Sequence, residues 1–147
     1  MNATSTKKII NELLVEVFHQ ILSIQQEHLR DQGVTLSMTE VHVLEAISKQ
    51  AEPTMSKVAL KLRVTVGTLT TSVSRLVEKG YVKRQSKPGD KRKVYLNLTK
   101  DAHDVLKIHD AFHDEMIDAA IEDLKLEESP ELVETFRNLT EYFKNKY

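Results

Sequence analysis

The hydrophobic period of this chain changes abruptly between Thr65 and Thr99, and that change limits its fold more than any other feature. Up to Gly80, Val66, Leu69, Val73, Leu76 and Val77 recur at helical spacing and share one face. Gly80 is a suitable residue to end that helix. The period then drops to two. Tyr81–Ser86 reads as one strand and Arg92–Leu98 as the next, with Val94, Leu96 and Leu98 alternating inward. Lys87-Pro88-Gly89-Asp90 is the turn between them. A helix running straight into a hairpin predicts the second half of a winged helix-turn-helix.

The outer face of that helix is unusual for a surface helix, which ordinarily carries long charged pairs. Gly67, Thr68, Thr71 and Arg75 oppose the apolar stripe, with Thr70 and Ser74 at its margins and Thr65 at its start. Small hydroxyl side chains let a helix approach a groove wall and still hydrogen-bond phosphates or base edges. The hairpin adds Lys83, Arg84, Lys87, Lys91, Arg92 and Lys93. Like charges gathered on one hairpin repel, and a phosphate backbone or narrow minor groove supplies the missing counter-charge. Asp90 is expected to pin an arginine from inside the hairpin.

A formal net charge of −1 conceals this concentration. Residues 1–53 hold four Lys/Arg against seven Asp/Glu, net −3. Residues 54–99 hold eleven against two, net +9. Residues 100–147 hold six against thirteen, net −7. A basic centre between acidic arms is the footprint of a polyanion-binding head. The candidate DNA-contacting residues are Thr54, Ser56, Thr65, Gly67, Thr68, Thr70, Thr71, Ser74, Arg75, Arg84, Lys87, Lys91, Arg92 and Lys93.

The remaining segments read as helices. A first helix runs from about Lys7 to Asp31, its apolar residues paired at Ile9/Ile10, Leu13/Leu14, Val17/Phe18 and Ile21/Leu22. A second begins at Ser37, with Glu40 three residues on in a capping-box pattern, and buries Val41, Leu44 and Ile47. Thr54 caps a short third helix through Val58, Ala59 and Leu62. The helix from Thr65 is the fourth. Thr99 caps a long acidic fifth, Lys100–Lys125. Ser129-Pro130 opens a sixth that is expected to bury Leu132, Val133, Phe136, Leu139 and Phe143. The fold class is therefore mostly α with a small β wing: a winged helix-turn-helix plus a helical dimerisation region formed by the N- and C-terminal helices. One subunit spans 1–147, with 36–99 as the DNA-binding module and 1–35 and 100–147 as dimerisation helices. Two-fold pairing would cover the apolar stripes and space two recognition helices for a near-palindromic duplex.

Several classes are not expected. The chain has no Cys, which removes disulfide scaffolds, Cys-ligated metal centres and thiol nucleophiles and fits a reducing cytoplasm. The stretch Ile9–Ile24 is broken by Asn11, Glu12, Glu16 and His19, so no membrane span is read. No nucleophile–base–oxyanion set or cofactor motif is present; no catalytic residue and no cofactor are assigned.

The strings Val64-Thr65-Val66-Gly67-Thr68-Leu69-Thr70-Thr71 and Arg75-Leu76-Val77-Glu78-Lys79-Gly80-Tyr81-Val82, then Asp90-Lys91-Arg92 and Leu98-Thr99, resemble the MarR family of bacterial transcription regulators over about residues 9–145. The resemblance implies that Arg92 fills the place of the wing arginine that reaches the minor groove. Met38-Thr39-Glu40-Val41-His42, Thr54-Met55-Ser56-Lys57-Val58-Ala59, Gly67-Thr68-Leu69-Thr70-Thr71 and His109-Asp110-Ala111-Phe112-His113 look like the fatty-acid-synthesis repressor (FabT) branch. That likeness implies a homodimeric repressor of fatty-acid biosynthesis genes with long-chain acyl-acyl carrier protein as corepressor. The alternative is a regulator answering to another small apolar ligand or to zinc.

An effector pocket could be lined by Leu14, Phe18, Leu22, Leu44, Ile47, Phe112 and Met116, with His42, His109 and His113 beside it. From periodicity alone these apolar residues read rather as dimer core; only the family resemblance brings the pocket reading level with it. His109 and His113 stand one turn apart on the fifth helix. With His42 they are similar to the ligands of a zinc-responsive branch of the family, with Glu27 as a fourth. Val41 and Ile108 stand where that branch carries acidic ligands, and its thiolate is absent. The reading adopted is no metal, the alternative being His42, His109, His113 and Glu27.

Overall fold

The computed structural model describes residues 3–146. The chain falls into two compact units that divide between Asp110 and Ala111, inside a continuous helix.

The first unit opens with α1 (Ala3–Glu12), a π-helical turn (Leu13–Val17) and α2 (Phe18–Asp31). Glu12, Val17 and Phe18 all keep right-handed helical dihedrals, so the three run on as one helix. It starts earlier than the expected Lys7. The π turn has a cause in the sequence. The apolar pairs repeat every four residues, whereas an α-helix turns once in about 3.6. The stripe would therefore creep around the axis, and a wider turn in its middle takes up the excess.

Gln26 ties α2 to the start of the next helix: its Nε2 donates to the Leu36 carbonyl and its Oε1 accepts the Met38 N–H, both at 2.9 Å. The capping box at the start of α3 (Met38–Ser48) forms as the sequence predicts. Ser37 Oγ accepts the Glu40 N–H at 3.2 Å, and Glu40 Oε2 accepts the Ser37 N–H at 2.9 Å. Thr54 and Thr65 cap α4 (Met55–Leu62) and α5 (Val66–Glu78) in the same manner, accepting the N–H of Lys57 and Thr68. The turn between α4 and α5 rests on Arg63, a non-glycine residue at φ +56°, with the Val64 N–H closing back on the Ala59 carbonyl at 3.0 Å. Nothing in the local sequence announces that left-handed residue, which costs on the order of 1 kcal/mol.

The wing is a two-stranded antiparallel sheet, β1 (Val82–Lys87) and β2 (Asp90–Leu98). Pairing reaches closer to the tip than the expected strands, because Lys87 pairs directly with Asp90. Pro88 and Gly89, the latter at φ +90°, fill the turn with the proline-then-positive-φ order of a type II turn. Such turns match strand twist poorly, and the register breaks between Ser86 and Lys87. Ser86 opposes Val94 but Lys87 opposes Asp90, so Lys91, Arg92 and Lys93 fall in a bulge.

Leu44, Val41, Ile47, Val58, Leu69, Val73, Leu76 and Leu96 are at most 2% exposed and form the centre of the core. The core extends past residues 36–99: Leu29 and Val34 join from one side, and Ala102, Val105 and Leu106 join from the start of α6 (Lys100–Leu124). The beginning of the fifth helix of the sequence reading thus belongs to the winged-helix core rather than outside it. Thr99 fastens it, its hydroxyl donating to the Gly80 carbonyl at 2.8 Å. Val66, expected on the buried stripe, is instead 48% exposed, since it lies in the first turn of α5, beyond the reach of the core.

A partly buried ion pair ties α3 to α5. Glu40, 7% exposed, accepts bonds on both oxygens from Lys79 Nζ at 2.9 Å, linking the start of α3 to the end of α5. Burial by itself would raise the Glu40 carboxyl. The Lys79 ammonium and the Ser37 N–H and hydroxyl outweigh burial and hold it below its ordinary value of 4.5. A carboxyl lowered by folding adds stability above its unfolded pKa and loses it as pH falls through the folded one. Glu40→Gln is therefore expected to cost about 1 kcal/mol at neutral pH, Lys79 being partly solvated. The gap from the unaltered protein should close below pH 4.5 in urea titrations run across pH.

The second unit comprises α6 from Ala111, a 3-10 turn (Leu126–Glu128) and α7 (Pro130–Lys146). The sequence predicts five buried apolar residues on this last helix, and it buries none. Leu132 and Leu139 are half-buried, while Val133, Phe136 and Phe143 are exposed. A unit this small cannot close a core of its own. In the first unit Ile9, Ile10, Leu13, Leu14, Val17 and Phe18 are exposed as well. Among the described residues no helix is long and apolar enough to cross a membrane.

Candidate nucleic-acid interface

The basic and hydroxyl residues singled out in the sequence stand on one side of the first unit because three elements present them. α5 supplies its outer face: Thr65, Gly67, Thr68, Thr70, Thr71 and Arg75 are exposed and Ser74 is half-buried. The hydroxyls of Thr70 and Thr71 donate to the Val66 and Gly67 carbonyls one turn back, at 2.7 and 3.4 Å. Their oxygen lone pairs remain for an incoming donor, a geometry suited to base amino groups. A Cβ added at Gly67 would meet only Thr65 Oγ1, at 3.8 Å. Nothing inside the chain requires glycine there. A bare backbone on the outer face suits close approach by something outside it.

α4 contributes the second edge, with Thr54 half-buried at its cap and Ser56 exposed on its first turn. The wing contributes the third. Its root is fastened to the α3–α4 connection: the Leu96 N–H donates to the Pro53 carbonyl at 2.8 Å, and Thr54 bridges to Tyr95. Between these edges lies an open cleft of about 650 Å³, lined by Thr54, Met55, Ser56, Lys57, Val66, Thr70, Ser74, Arg84, Arg92, Lys93 and Val94. The structure thus brings seven of the predicted residues around one cleft. Thr65, Gly67, Thr68, Thr71 and Arg75 lie on the rest of the α5 face, and Lys87 and Lys91 near the wing tip.

Asp90 acts differently from the expectation. Its carboxylate accepts the backbone N–H of Arg92 at 3.0 Å rather than pairing with a guanidinium. An Asp two residues before its partner closes a local turn of this kind, which shapes the bulge and leaves the Arg92 side chain exposed. Lys87 lies 3.9 Å from Glu52, and its Nζ stands over the Tyr95 ring at 5.2 Å. Lys57 pairs with the same Glu52 at 3.4 Å. Lys57 is absent from the residues predicted to contact DNA, although its place in the first turn after the Thr54 cap is a usable signal.

The expected effector residues do not form one group within the first unit. Leu44 and Ile47 are shut in the core, whereas Leu14 and Phe18 are exposed and Leu22 is half-buried. In the second unit Phe112, His113 and Met116 are half-buried, and the Phe112 and His113 rings meet edge-on at 6.4 Å.

The histidines yield a sharper arrangement. His42 is half-buried on α3, His109 is 2% exposed on α6, and their rings stand edge-on at 6.3 Å. Glu45, one turn along α3 from His42, joins them: one ligand atom from each of the three lies within 4.8 Å of the others. Glu27, named from the sequence, is exposed on α2 and is not in this group. Burial would raise the Glu45 carboxyl, but Lys49 and, more weakly, His109 and His42 bring it below its ordinary value.

Comparison with known proteins bears on what such a site serves. The family model described as MarR family matches residues 36–94. FabT of Streptococcus pneumoniae, solved in complex with DNA, is 32% identical, with a TM-score of 0.87 over 96% of this chain and 99% of that one. A mutant MarR from E. coli, complexed with operator DNA, shares the fold at 23% identity and a TM-score of 0.72, over 97% of this chain and 99% of that one. The HTH-type transcriptional regulator YhjH of Bacillus subtilis is 27% identical over 126 residues, 77% of this chain and 72% of that protein.

Proposed function

The chain belongs to the MarR family of transcription regulators, and from that premise we propose that it is a homodimeric repressor of fatty-acid biosynthesis genes with long-chain acyl-acyl carrier protein as corepressor. α5 enters the major groove of a near-palindromic duplex with Thr68, Thr71 and Arg75 toward base edges. Arg92 reaches the adjacent minor groove, and Ser56, Lys87, Lys91 and Lys93 hold phosphates. Two copies pair through the exposed apolar faces of α1, α2 and α7, setting the recognition helices roughly 34 Å apart. It works in the cytoplasm, without catalysis.

The observation that carries this reading is the likeness to FabT across nearly the whole of both chains. The concentration of positive charge in residues 54–99, on the face built by α4, α5 and the wing, supports the DNA-binding part independently. A corepressor acts only through a difference in affinity: the acyl chain must favour the dimer whose recognition helices match the groove spacing. The test is selection of genomic fragments by purified protein, with and without acyl-acyl carrier protein. Enrichment of fatty-acid synthesis promoters with the acyl ligand is expected. Equal recovery without it would remove the corepressor.

Arg92→Ala is expected to weaken duplex binding and to lower the slope of log K against log salt by about one. Filter binding across a salt series measures both. An unchanged slope would take Arg92 off the duplex.

A second reading, a regulator answering to zinc, is favoured by the convergence of His42, Glu45 and His109. Two imidazoles and a carboxylate are a zinc-type donor set. Elemental analysis of protein purified without metal and then resupplied decides it. One zinc per chain, lost in His109→Ala, would support it; sub-stoichiometric zinc would exclude it.

A further inference from the structure

We infer that Arg84 is a positioning residue: its guanidinium clamps the wing to the recognition helix through Ser74 and so sets the spacing between the α5 hydroxyls and Arg92. The consequence for binding rests on the DNA-binding reading proposed for α5 and the wing; the clamp itself is a property of the free protein.

Three observations converge on it. Arg84 Nη2 donates to Ser74 Oγ at 2.7 Å and makes a longer contact of 3.5 Å with the Thr70 carbonyl. Strand register then fixes which way Arg84 faces. It pairs with Leu96, between the pairs Val82–Leu98 and Ser86–Val94. Side chains alternate along a strand and cross-strand partners share a face. Arg84 therefore stands in the row of Val82 and Leu96, both at most 2% exposed. An arginine meant only for phosphate would gain nothing from the inward row. Arg84 itself is exposed, and its head meets the edge of α5 at Ser74.

The wing also needs such a fastening. A two-stranded hairpin is marginal by itself. The Pro53–Leu96 bond and the Val82 side chain hold its root, but Arg92 lies beyond them in the bulge. Arg84 engages α5 from two residues beyond Val82, where a small pivot of the hairpin would become a large displacement of Arg92. A guanidinium reaches a hydroxyl and a carbonyl together through its planar fork, whereas a lysine offers a single point of contact. This separates a clamp from a phosphate contact, which lysine would satisfy.

The test uses Arg84→Lys, Ser74→Ala and the double variant. The probe is the duplex that the unaltered protein retains best from a random-sequence library. Each single change is expected to weaken binding about tenfold, with the double no worse than either single, because both remove one interaction. Full binding by Arg84→Lys, or additive losses in the double variant, would overturn the clamp. A second arm needs no DNA. The chain has no cysteine, so spin labels on Glu78→Cys and Lys91→Cys, with labelled chains diluted in excess unlabelled protein, isolate the distance from α5 to the wing within one chain. That distribution should be narrow in the otherwise unaltered protein and broaden with Ser74→Ala or Arg84→Lys; an unchanged width overturns the clamp. If the unaltered protein retains no duplex from the library, the DNA-binding reading fails while the label distances still judge the clamp.

Discussion

Replacing Thr68 and Thr71 together by glutamate is expected to abolish duplex retention at moderate salt while the protein stays folded. Both residues are exposed on the outer face of α5. Two carboxylates there would face phosphates and base acceptors with the wrong sign. Juxtaposed like charges cost several kcal/mol, so the loss should be on the order of a thousandfold or more. The folded state has reason to tolerate the change. Thr65 caps α5 and Thr68 is its third helical residue. A glutamate at that position completes a capping box with Thr65 and favours the positive end of the helix. At position 71 it replaces a β-branched residue by a better helix former. Melting temperature should therefore hold or rise as affinity disappears. A variant that melts normally and still binds would remove α5 from the duplex.

Phe136→Asp with Phe143→Asp is expected to give a monomer of 16.8 kDa in sedimentation, against twice that mass for the unaltered protein. Both rings are exposed on α7, 41% and 42%, and lie two turns apart on one face. Exposed apolar side chains in a row mark an interface. Burying two carboxylates there costs far more than burying two rings returns. Binding to a near-palindromic duplex should fall with the mass, by roughly a hundredfold or more, because linkage of two heads supplies that factor by effective concentration. Binding to a single half-site should not change. An unaltered sedimentation mass would place the dimer contact elsewhere.

Interactions between residues close in the chain are legible in the sequence. The caps at Ser37, Thr54 and Thr65, the stop at Gly80, the turn at Pro88-Gly89 and the stripes of α3 and α5 all follow from spacings of two to four residues. The basic head between acidic arms is visible in the order of charges alone. The four-residue pairing in the first helix even carries the signal of its π turn, though the apolar pattern by itself predicts an ordinary helix there.

The tertiary structure decides which of those residues work together. In the sequence Arg84 is one more basic residue, and only strand register turns it inward to Ser74. Asp90 is expected to hold a guanidinium, and the bulge gives it a backbone N–H instead. Glu40 is legible as a cap but not as the partner of Lys79, 39 residues away. Glu45 joins His42 and His109 because α3 and α6 bring them together, and no spacing in the chain encodes that. Backbone conformation and amphipathic faces are set by neighbours a few residues apart, so a linear reading reaches them. The direction and partner of a polar side chain depend on how separate elements pack, which only the assembled core specifies.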